Sequence, residues 1–189
     1  MKKTILLLLL ALSCYIYSSE TALLISKEKN MYKIDGGVYR SQQLESEDLS
    51  IINELGIKTI INLRFFNRDK DKKIFKETDL ILINNPLKTW NITPKEVAQI
   101  LYDIEKSKEN GAVLFHCYHG SDRTGLISGM YRIIYQDYEI DEALLELVQG
   151  SYGFHKIWSN IPKMFNENTV TEIKNEIFNL KNQQLKILD

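Results

Sequence analysis
The sequence predicts an α/β fold with a mainly parallel central sheet flanked by helices. Three observations carry that expectation. Short β-branched or apolar runs occur at residues 58–63 (KTIINL), 80–83 (LILI) and 112–115 (AVLF), each of strand length. Segments with apolar residues at helical spacing lie between and after them, and strands alternating with helices form this class of fold. No repeat or domain boundary interrupts the pattern after residue 31.

Each element has a local cause. Residues 20–31 are polar with a weak apolar patch and read as a linker. Asp35-Gly36-Gly37 lies between two short β-prone runs, a hairpin signal. Ser46-Glu47-Asp48 starts a helix that uses Leu49, Ile52 and Leu55 and stops at Gly56. The 58–63 and 80–83 runs read as buried strands. Thr93, Pro94 and Glu96 give a capping box with proline at the first helical position. The apolar face that follows is Val97, Ile100, Leu101 and Ile104. After the 112–115 strand, a helix from Thr124 buries Leu126, Ile127, Met130, Ile133 and Ile134. Further helices are expected at 141–149 and from about Thr169, with Thr169 and Glu172 as a capping pair.

The chain has 189 residues, 44% hydrophobic and 26% charged, an ordinary globular balance that excludes disorder as the main character. Its net charge of -1 carries no basic excess that would point to nucleic acid. Residues 1–19 have the layout of an export signal: Lys2 and Lys3, an apolar run from Thr4 to Leu12, then small residues. The run is shorter than the ~20 residues of a membrane-spanning helix. The expectation is an exported protein, periplasmic or secreted, with no stable span in its mature form. An N-terminal anchor, or lipid on Cys14, is the alternative. Cleavage near Ser18 or Ser19 would leave Cys117 as the single cysteine, a candidate reactive thiol.

The loop after the third strand decides the functional reading. It runs His116-Cys117-Tyr118-His119-Gly120-Ser121-Asp122-Arg123-Thr124-Gly125, with Cys117 leaving a strand and Arg123 entering a helix. Successive main-chain N–H groups in a tight loop can converge on the oxygens of a phosphate ester. The helix start adds unpaired N–H groups and partial positive charge. Gly120 permits the turn, and Arg123 offers a planar fork for two oxygens. The same positive field favours a thiolate at Cys117, a nucleophile for phosphorus. Tyr118, His119, Gly120, Ser121, Asp122 and Arg123 are the candidate phosphate-binding residues. Thr124 can donate to the sulfur, and His116 braces the loop.

The segment HCYHGSDRTG resembles the signature of the protein tyrosine phosphatase superfamily, in its small dual-specificity-like branch. Val38 to Ser41 and Leu55 to Arg64 are similar to the opening of exported bacterial members, and Gly150 to His155 to a later segment. The resemblance covers about residues 32–160. It implies a dual-specificity phosphatase-like single domain, placed here at 32–189. It also implies two-step chemistry, in which Cys117 takes the phosphoryl group and water removes it, with no cofactor or metal. The expected activity is a phosphotyrosine phosphatase extending to phosphoserine and phosphothreonine, acting on a phosphorylated protein or small molecule. An inositol phosphate or phosphoinositide phosphatase, and a phosphate-binding module with little turnover, are the alternatives.

One departure stands out. Many members carry a proton-donating aspartate on a loop before the helix at Thr93, but residues 85–91 contain no acid. Asp122 is the replacement, on the likeness of a loop aspartate in the myotubularin branch; a salt bridge or helix cap is its competing role. Asp79 and Asp103 read as surface and helix-face residues. Metal ligation by His116, Cys117 and His119 would distort a tetrahedral site. Arg40 and Arg64 read as structural ion-pair residues. Trp90 is open between pocket wall and core, and Tyr152, Phe154, His155 and Trp158 between pocket rim and ordinary packing. Residues 68–73 (RDKDKK) read as a solvated loop.

Overall fold
The computed structural model describes residues 22–188. The expected signal segment, the cleavage region and Cys14 lie outside the described residues. A six-stranded sheet organises the domain. Its strands are β1 (Leu23–Ser26), β2 (Met31–Asp35), β3 (Val38–Ser41), β4 (Ile57–Arg64), β5 (Ile81–Leu87) and β6 (Ala112–His116). Their spatial order is β1-β2-β3-β6-β4-β5. The pairs β3/β6, β6/β4 and β4/β5 are parallel, and β1/β2 and β2/β3 are antiparallel.

The helices are α1 (Leu49–Glu54), α2 (Lys70–Ile74), α3 (Pro94–Ser107), α4 (Asp122–Tyr135), α5 (Ile140–Gln149) and α6 (Glu167–Leu188). Side chains of β6 alternate between two cores, as a pleated strand buried on both faces must. Val113 and Phe115 meet Ile61, Leu101, Ile104, Leu126 and Ile127 on the side of α3 and α4. Leu114 meets Ile52, Ile60 and Phe75 on the other side, against α1 and the end of α2. Both faces of the sheet are therefore covered. The loops at the C-terminal ends of β3, β4 and β6 are left free to converge.

Four local expectations are corrected. The linker assigned to residues 20–31 carries β1, which pairs with β2 from Leu23↔Lys33 onward; its weak apolar patch is an edge strand. The 80–83 run is not a buried strand. It belongs to edge strand β5, where Ile81 is 45% exposed. The edge position also explains how Pro86, which has no N–H to give, sits in a strand. Helix α6 begins at Glu167, and Asn166 caps it by accepting from the Thr169 N–H (3.0 Å); the Thr169–Glu172 pairing is not the cap. The charged run 68–73 contains α2 and buries Asp71 at 3% exposure, so it is not simply a solvated loop. At Thr93 the capping box is present, with Oγ1 accepting from the Glu96 N–H and a Glu96 carboxylate oxygen accepting from the Thr93 N–H. Among the described residues, no helix is long and apolar enough to cross a membrane.

Candidate active site
The loop from Cys117 to Ser121 joins β6 to α4, and its carbonyls are held outward from several directions. His116 Nδ1 lies 3.1 Å from Cys117 O. The Gln43 N–H donates to Tyr118 O (3.1 Å). Asn30 Nδ2 donates to His119 O (2.9 Å), and Arg40 Nη2 to Gly120 O (2.7 Å). In a trans peptide the N–H points opposite to the C=O, and the described residues contain no cis peptide bond. Tethering four consecutive carbonyls outward therefore turns the N–H groups of residues 118–121 to the inner side. The N–H groups of Asp122, Arg123 and Thr124, in the unpaired first turn of α4, follow them.

Gly120 is required at the bend. Its φ is +72°, and a Cβ there would lie 2.6 Å from Gln42 N and 2.7 Å from the Ser41 carbonyl. Arg123 Nη1 donates to Leu63 O at 3.4 Å, which ties the guanidinium to the end of β4. Its Nε and the Thr124 hydroxyl are buried with no hydrogen-bond partner among the described residues. Buried polar groups are nearly always satisfied, so unpaired donors beside a ring of unpaired N–H groups fit an anion.

A cavity of about 370 Å³ opens over this loop, lined by Tyr118, His119, Asp122 and Arg123 from the loop. Arg64, Phe66, Thr89, His155, Ile157 and Trp158 complete its walls. Cys117 is not among the lining residues; it is 1% exposed, at the base of the loop where β6 ends. Ser121 is buried and its hydroxyl donates to Tyr152 O (2.7 Å), tying the loop to the segment after α5.

Behind the loop lies a buried polar relay. His116 is fully buried, with Nε2 2.8 Å from Asp71 Oδ2. Asp71 Oδ1 accepts from Gln43 Nε2 (2.6 Å), and Gln43 Oε1 accepts from Arg64 Nη1 (2.7 Å). Burial, the largest single influence on Asp71, pushes its pKa up. The hydrogen bond and charge of His116, with Gln43 and Arg64, outweigh it and hold the carboxyl below its ordinary value. Both ring nitrogens of His116 thus face acceptors, Cys117 O on one side and the Asp71 carboxylate on the other. Asp71 was missed by sequence reasoning, because its neighbours Lys70, Lys72 and Lys73 resemble any solvated charge run.

Arg40 and Arg64 do not form the ion pairs expected of them. Among the described residues, neither has a carboxylate within salt-bridge distance. Arg40 is 1% exposed and stacks on the Tyr152 ring at 3.9 Å. Burial lowers its pKa, opposed by the charges of Tyr152, Glu146 and Cys117. Arg64 lies over the Tyr118 ring at 5.0 Å. Trp90 is 53% exposed and stacks edge-on against Phe65, so it belongs neither to the core nor to the cavity lining. Of the four aromatic candidates after α5, His155 and Trp158 line the cavity, Tyr152 buttresses Arg40 and Phe154 packs on the core.

Asp122 stands at the first position of α4 and is 7% exposed. Its Oδ1 accepts from the His155 N–H (2.8 Å), and His155 Nδ1 lies 2.9 Å from Oδ2. It is thus hydrogen-bonded to His155, and both residues line the cavity. Asp79 is exposed at the surface. Asp103 lies on α3 against Asn85 of β5, where Asn85 Nδ2 donates to it at 2.6 Å. Burial pushes the Asp103 pKa up, with Asn85 and Gln99 opposing. Neither acid lines the cavity. His116, Cys117 and His119 do not come together as ligands, since the His116 ring is committed to Asp71 and Cys117 O. The three groups that do converge are His119, Asp122 and His155.

Comparison with known proteins places this geometry in context. The dual specificity protein phosphatase TpbA of Pseudomonas aeruginosa is 29% identical over 124 residues, covering 66% of this chain and 56% of that protein. The chain thus spans little more than half the length of the curated relatives it matches. The crystal structure of TpbA shares the fold with a TM-score of 0.74 at 23% identity, covering 85% of this chain and 98% of that one. Its complex with pTyr gives a TM-score of 0.77 at 23% identity, covering 86% and 99%. The core catalytic domain of a PP-IP phosphatase from S. cerevisiae gives 0.63 at 21% identity, covering 78% and 92%. The model of the tyrosine phosphatase family matches residues 27–184, from the turn before β2 into the last turns of α6. That match takes in the sheet from β2 onward, the loop and the residues that tether it: this chain belongs to the tyrosine phosphatase family.

Proposed function
We propose that this protein is a cysteine-dependent phosphatase that hydrolyses phosphotyrosine, and phosphoserine and phosphothreonine as well, through a cysteinyl-phosphate intermediate. The observation that carries the reading is the loop itself. Four outward-tethered carbonyls turn the intervening N–H groups inward, and Arg123 Nε and the Thr124 hydroxyl remain unpaired beside them. The aromatic and apolar walls at Phe66, Tyr118, Ile157 and Trp158 suit an aryl phosphate. They also favour it over a highly phosphorylated inositol, for which Arg64 and Arg123 are the only cationic side chains in the lining other than histidine.

Cys117 attacks phosphorus while the N–H ring and Arg123 bind the three equatorial oxygens. The P–O bond breaks, and the leaving oxygen takes a proton. The Asp122–His155 pair is the proton source at the cavity mouth, with Asp122 the member in the loop and His155 the group that holds it in place. Water then attacks the phosphocysteine. Inorganic phosphate leaves, and Thr124 donates to the departing sulfur. The relay behind His116 keeps the loop in the binding shape before substrate arrives.

The test is turnover of an aryl phosphate and a phosphopeptide panel under reducing conditions, with Cys117→Ser beside the wild type. Hydrolysis lost in Cys117→Ser while phosphate binding persists is the expected result. Equal activity of the two proteins would overturn the proposal. Binding without turnover in the wild type would leave a phosphate-binding module instead.

A further inference from the structure
We propose that His119, Asp122 and His155 form a divalent-cation site of the zinc class at the mouth of the cavity, whose open coordination position faces an oxyanion held in the loop. One ligand atom from each of the three lies within 4.8 Å of the others. The donors are two imidazoles and one carboxylate, the set that suits zinc-class ions. A tetrahedral ion with bonds of ~2.0–2.1 Å spaces its ligands about 3.4 Å apart. Asp122 Oδ2 and His155 Nδ1 are already 2.9 Å apart, and need only part slightly. The His119 ring, 5.3 Å from the His155 ring centre to centre, is exposed and rests edge-on against the Tyr118 ring at 4.6 Å, a contact that ligation would exchange for the ion. Asp122 is the fixed member, 7% exposed and held by the His155 N–H as well as its ring.

Three protein ligands leave one position open. All three residues line the same cavity as Arg123, so that position faces the anion pocket. Arg64 and Arg123 disfavour a lone cation in this cavity. A bound phosphate reverses the local field and offers an oxygen as fourth ligand. Cation and anion therefore tighten each other's binding by the same factor. A cation held by Asp122 and His155 occupies the carboxylate assigned above to the leaving oxygen, so it should inhibit turnover. This last consequence rests on the phosphatase reading; the binding site does not.

The test is titration of the purified protein with cobalt(II), read by its visible absorption, with and without inorganic phosphate. Cys117→Ser protein is used throughout, so that thiolate ligation cannot supply the signal. One cobalt per chain is expected, bound at least tenfold more tightly with phosphate. His119→Gln and His155→Gln should each weaken binding tenfold or more. No saturable band, a band unchanged in both histidine variants, or an affinity indifferent to phosphate would overturn the proposal. Hydrolysis of phosphate esters is assayed separately on the wild-type protein: saturable cobalt binding by Cys117→Ser together with an inert wild type would support the site and reject the phosphatase reading, so the two fail separately.

Discussion

Replacing Asp71 with asparagine tests whether the relay behind the loop is an ion pair. Asp71→Asn conserves shape but removes the charge that faces His116. The two side chains are 4% and 0% exposed, so solvent screens neither. Breaking a buried pair by removing one partner costs about 3–5 kcal/mol. Taking ~3 kcal/mol and a urea slope of about 2 kcal/mol per molar, the unfolding midpoint should fall by about 1.5 M. Urea titration followed by fluorescence of Trp90 and Trp158 measures it. The pH dependence has a definite sign. The Asp71 pKa is lower in the folded protein than its ordinary value near 3.9. Its contribution is therefore fully present above that value and is lost as pH falls through the lower folded pKa. The gap between wild type and Asp71→Asn should be fully present at pH 6 and shrink as pH falls below 4. A gap under about 1 kcal/mol at pH 6, or one equally wide at pH 3, would refute the charged-pair reading.

Gly120→Ala should destabilise the protein by about 1–3 kcal/mol, because a left-handed φ and contacts below 3 Å to the Ser41–Gln42 backbone coincide; thermal melting checks it, and an unchanged melting temperature would contradict the tethered-loop geometry. Asp122→Asn should slow hydrolysis of phosphate esters with poor leaving groups by ~10²–10⁴-fold and leave good leaving groups nearly untouched. Equal losses on both would remove Asp122 from proton transfer. Hydrogen peroxide should inactivate the enzyme by oxidising Cys117, the only cysteine among the described residues, without a disulfide partner there to protect it. Mass spectrometry that finds Cys117 unmodified in inactivated protein would contradict this.

The candidate loop could be proposed from the chain alone because the phosphoryl transfer we propose needs a nucleophile, a run of inward N–H groups and a guanidinium within one turn. That requirement is met by contiguous residues, Cys117 to Thr124. The parallel-sheet class was equally readable, since each strand and helix writes its own period locally. The family resemblance added the two-step chemistry and pointed to the missing acid before α3.

What the tertiary structure decided is what holds the loop open. Asn30, Arg40 and Gln43 tether its carbonyls from β-strand ends some 75 or more residues away. Asp71 is buried only because α2 folds back against the end of β6, and His155 meets Asp122 only because the chain after α5 returns over the cavity. Edge strands show the same limit: the apolar residues of β1 and β5 do not declare that each strand has a neighbour on one side only, which the strand order of the closed sheet decides. Local periodicity reports how a segment bonds to itself. Burial of a charge, and the partner that makes it tolerable, depend on which distant segment the closed chain places beside it.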